Sequence, residues 1–373
     1  MNKLAVGYKI LLGLSGLCLF VGVGLLALGV REGVGPWLAA FFALLALGVR
    51  GLAAWRGFSY TIWIFAAVVI SMSYPGWFTE VGGFPLRRLI VPLLQLIMFG
   101  MGTSMGLGDF AGVIKTPKAV LVGVFCHFTI MPLMGYTLAK AFGFPPEIAA
   151  GVVLIGSMPC GLASNVMSYL ANANLALSIT LTAVSTLLAP FLTPFLMKVL
   201  AGQFIPVDAG AMMLDIIQMV IVPIVAGLVF NRLFHGRLKW LDTALPVVSM
   251  VSIALIITII TAAGRDSLLS IGAWLIVAAL IHNGSGYFLG YWFSRLIRMD
   301  ERSCRTVAIE VGMQNAGLAS AIALQMGKVA TVGLAPAVFG PLMNITGSSL
   351  ATWWRGKPVA EAAVEKSGVR IPT

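Results

Sequence analysis

Apolar residues fill this 373-residue chain in long blocks, without the one-faced or alternating patterns of a water-soluble fold. The blocks predict twelve helical spans, at 9–30, 36–54, 59–77, 88–107, 118–141, 147–170, 174–200, 210–231, 244–263, 268–297, 304–326 and 330–353. Several run to about 20 residues, enough to cross a hydrocarbon core as a helix. Short polar or Pro/Gly stretches divide them, such as "TPK" at 116–118 and "GFPPE" at 143–147, and the tail after Arg355 is polar. The predicted fold class is an all-α polytopic membrane protein.

Two blocks break in the middle. In "GSMPCGLASN", residues 156–165, Pro159 removes a backbone donor while Gly156 and Gly161 loosen the helix. In "EVGMQNAGLAS", residues 310–320, Gly312 and Gly317 flank Met313, Gln314 and Asn315, and the stretch opens on the acid Glu310. An acid near the bilayer centre costs about 2.5–3.5 kcal/mol on insertion scales and is a functional candidate by default. Unwound backbone in lipid is tolerated only where it faces protein or a wet cavity. A hard cation seeks such oxygens, and half-helix N-termini beside it suit an anion. The following span adds Ser178 and Thr182, four apart on one helix face, with Ser185 and Thr186 extending the stripe. Taken alone, such a stripe also fits ordinary hydroxyl bonding between membrane helices.

An internal echo places the two breaks in register. "HFTIMPLMGY" begins at His127 and "HNGSGYFLGY" at His282, while "GLAS" occurs at Gly161–Ser164 and again at Gly317–Ser320. His282 lies five predicted spans after His127. An odd number inverts the second copy, and inverted repeats with interrupted helices in matching places point to a secondary transporter. The chain therefore reads as a transporter core with repeats of about 59–200 and 210–355, preceded by an N-terminal hairpin over 1–58 and followed by a polar tail, 356–373.

Composition narrows the class further. The chain is 59% hydrophobic and 10% charged, against about a quarter charged in soluble domains. Its net charge of +11 does not mark a nucleic-acid binder, because the basic residues form short clusters between apolar blocks. With a cytoplasmic N-terminus, 17 of the 24 lysines and arginines fall on the inner side. That balance favours a retained N-terminal helix over a cleaved signal peptide, both termini inside, and an inner (plasma) membrane location. Cys18, Cys126, Cys160 and Cys304 lack metal-ligand spacing and read as structural thiols.

"PCGLASNVMSYLANANLALSITLTAVSTLLAPFLTP" and "RTVAIEVGMQNAGLASAIAL" closely resemble the bile acid:sodium symporter family, including its bacterial members, and the resemblance runs from about residue 59 to 355. It implies a ten-helix, 5+5 inverted-repeat core of panel and core helices with two broken, crossing helices, to which residues 1–58 add two. It implies one sodium site at Ser164, Asn165, Ser178, Thr182 and Glu310. A second would use Glu310, carbonyls of Val311 and Met313, and the Gln314 side chain. Leu162 and Asn315 would face the substrate. Two positions depart from the family pattern: Leu162 stands for a threonine, and His127 for a glutamine that completes the second sodium site.

The expected function is sodium-coupled symport of an organic anion by alternating access, with sodium as coupling ion and no other cofactor. The substrate class spans bile acids, pantothenate-like and pyruvate-like acids and sterol sulfates; the oligomeric state is open, a monomer included. A proton-coupled variant would use Glu310 and His127, since an ordinary imidazole titrates near about pH 6.5. An intramembrane enzyme would need His127, His282 and Glu310 to converge as metal ligands, and their spacing does not favour it. Polar breaks in only two segments suit a binding site better than a channel.

Overall fold

The computed structural model describes residues 3–30, 33–52, 55–106, 108, 116–234 and 239–357. Most of the polar tail, 358–373, lies outside them. The chain is an all-α polytopic membrane protein, 84% helical. In chain order the helices are α1 (Lys3–Ala27), α2 (Val34–Gly48), α3 (Ser59–Ser73), α4 (Ile90–Ser104), α5 (Pro117–Ala141), α6 (Pro146–Gly156), α7 (Ala163–Leu170), α8 (Leu175–Leu200), α9 (Ala209–Phe234), α10 (Lys239–Ala263), α11 (Arg265–Leu296), α12 (Glu301–Gly312), α13 (Ala316–Gln325) and α14 (Leu334–Arg355). Among the described residues, nine helices are long and apolar enough to cross a membrane. The broken pairs α6–α7 and α12–α13, with α14, complete the twelve expected blocks.

Local chemistry sets the helix ends. Pro117 and Pro146 start α5 and α6, where the missing N–H costs nothing. Asn174, Asp208, Asp300 and Asn315 cap α8, α9, α12 and α13 by accepting from the backbone N–H three residues on. The Asp300 cap starts α12 at Glu301, three residues before the expected span. One feature of α9 was not foreseen: Ile217–Ile221 forms a π turn just before Pro223. Proline cannot donate to the preceding turn, and the widened turn absorbs the misfit. The Gln95 amide on α4 donates to the Gln218 carbonyl there, at 3.4 Å.

The helices form two groups. In one, α1 packs on α2, α2 on α3, α3 on α10, α10 on α4 and α4 on α9. In the other, α5, α8, α11 and α14 pack around α6, α7 and α12, while α13 packs on α14 and on α4 of the first group. The main core lies where the groups meet, with Leu94, Ile155, Ile216, Ile260, Leu318 and Phe339 all buried. The first half of each broken pair is the most enclosed part of the fold. Every residue from Ile148 to Gly156, and from Ser303 to Gly312, is buried. At the opposite extreme α1 exposes Leu14, Leu17, Phe20 and Val23, the composition of a lipid-facing helix.

Candidate functional site

The two interruptions cross each other. Cys160 and Gln314 form an antiparallel backbone bridge. Gly161 N–H donates to the Met313 carbonyl at 3.0 Å, and Asn315 N–H donates to the Pro159 carbonyl at 2.9 Å. Backbone groups freed by one break are thus satisfied by the other, as a low-dielectric interior requires. Side chains hold the remainder: Thr193 donates to the Ser157 carbonyl, and Cys160 N–H donates to Ser185 Oγ. Glycine is obligatory at one point, because a Cβ on Gly312 would overlap the buried Tyr287 ring.

Glu310 sits one turn before the second break and is 1% exposed. Its Oε1 accepts from Ser178 Oγ and its Oε2 from Thr182 Oγ1, the latter at 3.0 Å. The same two hydroxyls face Asn165 Oδ1 at 2.8 and 3.2 Å. The i, i+4 spacing on α8 therefore aims both hydroxyls at one point, between a carboxylate on α12 and an amide on α7. Ser164, beside Asn165 on α7, donates from Oγ to the Gly161 carbonyl at 2.7 Å.

The balance of protons at this point is unusual. Glu310 Oε1 and Oε2, Asn165 Oδ1, Ser178 Oγ and Thr182 Oγ1 are five oxygens, and the two hydroxyls have one proton each to distribute among them. Among the described residues, the ion pairs are Arg265–Asp266, Arg295–Glu301, Arg305–Glu301 and Lys328–Glu147, so none involves Glu310. Buried Arg305, five residues upstream, is occupied by Glu301 and by the Ala171 and Trp354 carbonyls. An oxygen-rich, proton-poor cluster around an unpaired carboxylate has the chemistry of a hard-cation site. No group of three His, Cys, Asp or Glu among the described residues could hold a metal, so His127, His282 and Glu310 do not converge as metal ligands.

The remaining predicted residues lie around the crossing. The Val311 carbonyl accepts from Gln314 Nε2, and the Met313 carbonyl accepts from Gly161 N–H. Gln314 Oε1 is buried without a hydrogen-bond partner among the described residues. His127, on α5, puts Nε2 2.7 Å from the Met158 carbonyl and Nδ1 3.1 Å from the Glu310 carbonyl. Leu162 and Asn315 sit at the N-termini of α7 and α13 respectively.

Two supporting residues, Asn283 and Thr306, carried no role in the sequence reading, and a third, His282, was named there only as a repeat marker and a metal-ligand candidate. Fully buried Asn283 on α11 donates through Nδ2 to the Gly312 carbonyl at 2.8 Å, holding the end of α12. Its neighbour His282 faces the Met131 carbonyl through Nε2 at 3.0 Å. Thr306 Oγ1 lies 3.0 Å from the Asn174 carbonyl, joining α12 to the start of α8. The signal for Asn283 and His282 was the repeated His127/His282 motif, whose partners lie too far along the chain to be named from spacing.

Comparison with known proteins places the chain in a family. The family model described as the Sodium Bile acid symporter family matches residues 91–271. The chain is 38% identical over 320 residues to the uncharacterized sodium-dependent transporter YocS of Bacillus subtilis (strain 168), covering 86% of this chain and 98% of that one. It is 32% identical over 297 residues to the probable sodium/metabolite cotransporter BASS1, chloroplastic, of Arabidopsis thaliana, covering 80% of this chain and 73% of that one. The chain therefore belongs to the sodium bile acid symporter family, whose members are transporters and not enzymes, and sodium-coupled transport of a small molecule is its general function.

Proposed function

We propose that this protein is a sodium-coupled symporter of a small organic anion that works by alternating access. The observation that carries the reading is the Glu310 carboxylate, without an ion pair among the described residues, gathered with three further oxygens from Asn165, Ser178 and Thr182 around two hydroxyl protons. Sodium bound by Ser164, Asn165, Ser178, Thr182 and Glu310 would tie α7, α8 and α12 together at one point and neutralise the acid. The crossing of the breaks would then be fixed, with the positive N-terminal ends of α7 and α13 held toward one cavity. Leu162 and Asn315 flank that cavity in this reading. An anion binding there gains a preorganised site only once sodium is present, which couples the two. Movement of the enclosed group of helices against the other group, in an inverted-repeat core, would expose the site to each side in turn. Residues 1–58 act as a retained hairpin in the inner (plasma) membrane, with both termini cytoplasmic.

Reconstitution into proteoliposomes tests this. An inward sodium gradient should accumulate one of a probe set of radiolabelled pantothenate, pyruvate and taurocholate. That same anion should raise the unfolding temperature of the purified protein only in sodium, not in potassium. Accumulation driven equally by a pH gradient without sodium would overturn sodium coupling in favour of protons.

A further inference from the structure

We propose that the end of the bundle where α5 begins and α11 turns into α12 binds the headgroup of an anionic phospholipid. The site lies apart from the crossing and does not depend on the transport reading.

Four exposed cations meet there: Lys118 in the first turn of α5, Arg295 in the last turn of α11, Arg298 in the connecting turn and Arg302 in the first turn of α12. Lys118 Nζ donates to the Ile297 carbonyl at 2.9 Å, which holds its ammonium beside Arg298. The Arg298 and Arg302 side chains make no ion pair or hydrogen bond among the described residues. Arg295 has only a 3.8 Å approach to Glu301. Both carboxylates of the turn are engaged. Asp300 Oδ1 caps α12 by accepting Ser303 N–H, and Glu301 accepts from Arg305 and from the Tyr291 hydroxyl. The turn is therefore positive, with guanidinium donors free for a phosphate.

Basic residues near helix ends are common in membrane proteins, and orientation alone explains many of them. It does not explain the backbone of Arg298. Arg298 N–H donates to the Arg295 carbonyl and Met299 N–H to the Ser294 carbonyl, which closes α11 with Arg298 left-handed at φ 61°. Glycine ends many helices in this way without steric cost, whereas a Cβ meets resistance. Asn172, the other left-handed non-glycine residue among those described, is of a type that tolerates the region. At Arg298 the strain is retained under a charge that nothing else among the described residues uses.

The neighbouring surface fits the rest of a lipid. Phe125 on α5, and Phe293 and Leu296 on α11, are exposed, and the two rings lie 6.0 Å apart across the α5–α11 seam. This seam runs along both helices to Lys118 and Arg298. An acyl chain laid against it brings its phosphate to the cations at the helix ends. A zwitterionic headgroup carries an added ammonium, for which Asp300 and Glu301 are already engaged. Inorganic phosphate has the charge but no chain for the seam.

Native mass spectrometry of the full-length protein, released from nanodiscs of mixed phosphatidylglycerol and phosphatidylcholine, tests the site. Phosphatidylglycerol should be retained at least about 10-fold over phosphatidylcholine. Thermal unfolding in phosphatidylcholine nanodiscs should shift upward when phosphatidylglycerol is included. Arg298→Gly separates lipid binding from folding. It relieves the left-handed strain, so the protein should unfold at an equal or higher temperature in phosphatidylcholine alone, while its preference for phosphatidylglycerol disappears. Arg302→Gln should weaken the preference, and Lys198→Gln, on α8, should leave it unchanged. Equal retention of the two lipids by the wild type overturns the inference. So does an Arg298→Gly protein that keeps the preference. Inorganic phosphate that stabilises the detergent-purified protein as strongly as phosphatidylglycerol replaces the lipid with a soluble anion, and overturns it too.

Discussion

The two breaks meet at one backbone bridge but divide the labour unequally. The first, Ser157–Leu162, holds a proline, a glycine, a serine turned back on its own helix and three apolar side chains, and gives mainly backbone to its surroundings: Met158 O to His127, Pro159 O to Asn315 and Ser157 O to Thr193. The second, Met313–Asn315, brings the chemistry: a carboxylate just before it and two amides within it, the second of which caps α13. The helix starts differ likewise. Asn315 has non-helical backbone (φ −83°, ψ 86°), and its Oδ1 turns back to accept Leu318 N–H. Leu162 is already helical (φ −54°, ψ −28°) and makes no side-chain cap. The crossing thus joins two breaks of different make-up, one the scaffold and the other the source of charge.

The largest test of that division is Glu310→Ala. Sodium-driven uptake and sodium binding should fall by at least about 100-fold while the protein still inserts and folds. No residue of the first break offers a replacement carboxylate, so normal sodium-driven uptake by this variant would end the assignment of charge to the second break.

The glycines of the second break give a sharper internal contrast. Gly312→Ala places a methyl against the buried Tyr287 ring and should destabilise the protein by about 1–3 kcal/mol in unfolding measurements. Gly317→Ala meets only Asn315 Oδ1 at 3.5 Å and Leu94 Cδ1 at 3.7 Å, both ordinary contacts. Inside a helix it should change stability by less than about 1 kcal/mol, toward greater stability. Equal effects from the two substitutions would show that the close approach at Gly312 is not what fixes the crossing.

The α8 hydroxyls serve both breaks, through Asn165 after the first and Glu310 before the second. Ser178→Ala or Thr182→Val should each weaken sodium binding by about 10-fold with little change in fold. A loss of stability without any loss of sodium affinity would turn these hydroxyls into simple interhelical glue.

The smallest expected effect concerns the caps. Asn315→Ala removes a side-chain acceptor and should cost about 1 kcal/mol of stability, together with a weaker apparent anion affinity. Leu162→Ala, at an uncapped start, should cost less stability than that. Thermal unfolding with and without sodium reads both.

Much was determined by the sequence alone. The apolar blocks forced a polytopic helical protein, since hydrocarbon admits only backbone that satisfies itself. Proline and glycine in the middle of two blocks marked the breaks, because each has a local and unavoidable effect on helix geometry. Glu310 stood out by the energetic cost of an acid in an apolar setting. What lay beyond the sequence was every relation between distant segments. His127 meets partners 31 and 183 positions away, Asn283 reaches Gly312, and the π turn in α9 is met by Gln95 from another helix. The i, i+4 pair Ser178 and Thr182 could be placed on one face of α8 from spacing, but not turned toward Glu310 and Asn165. Hydrophobic periodicity records how a segment meets lipid or core, and it holds no information about which buried polar atom faces which. That pairing is decided only when the helices cross, because in a low-dielectric interior each freed donor and acceptor must find its partner through space.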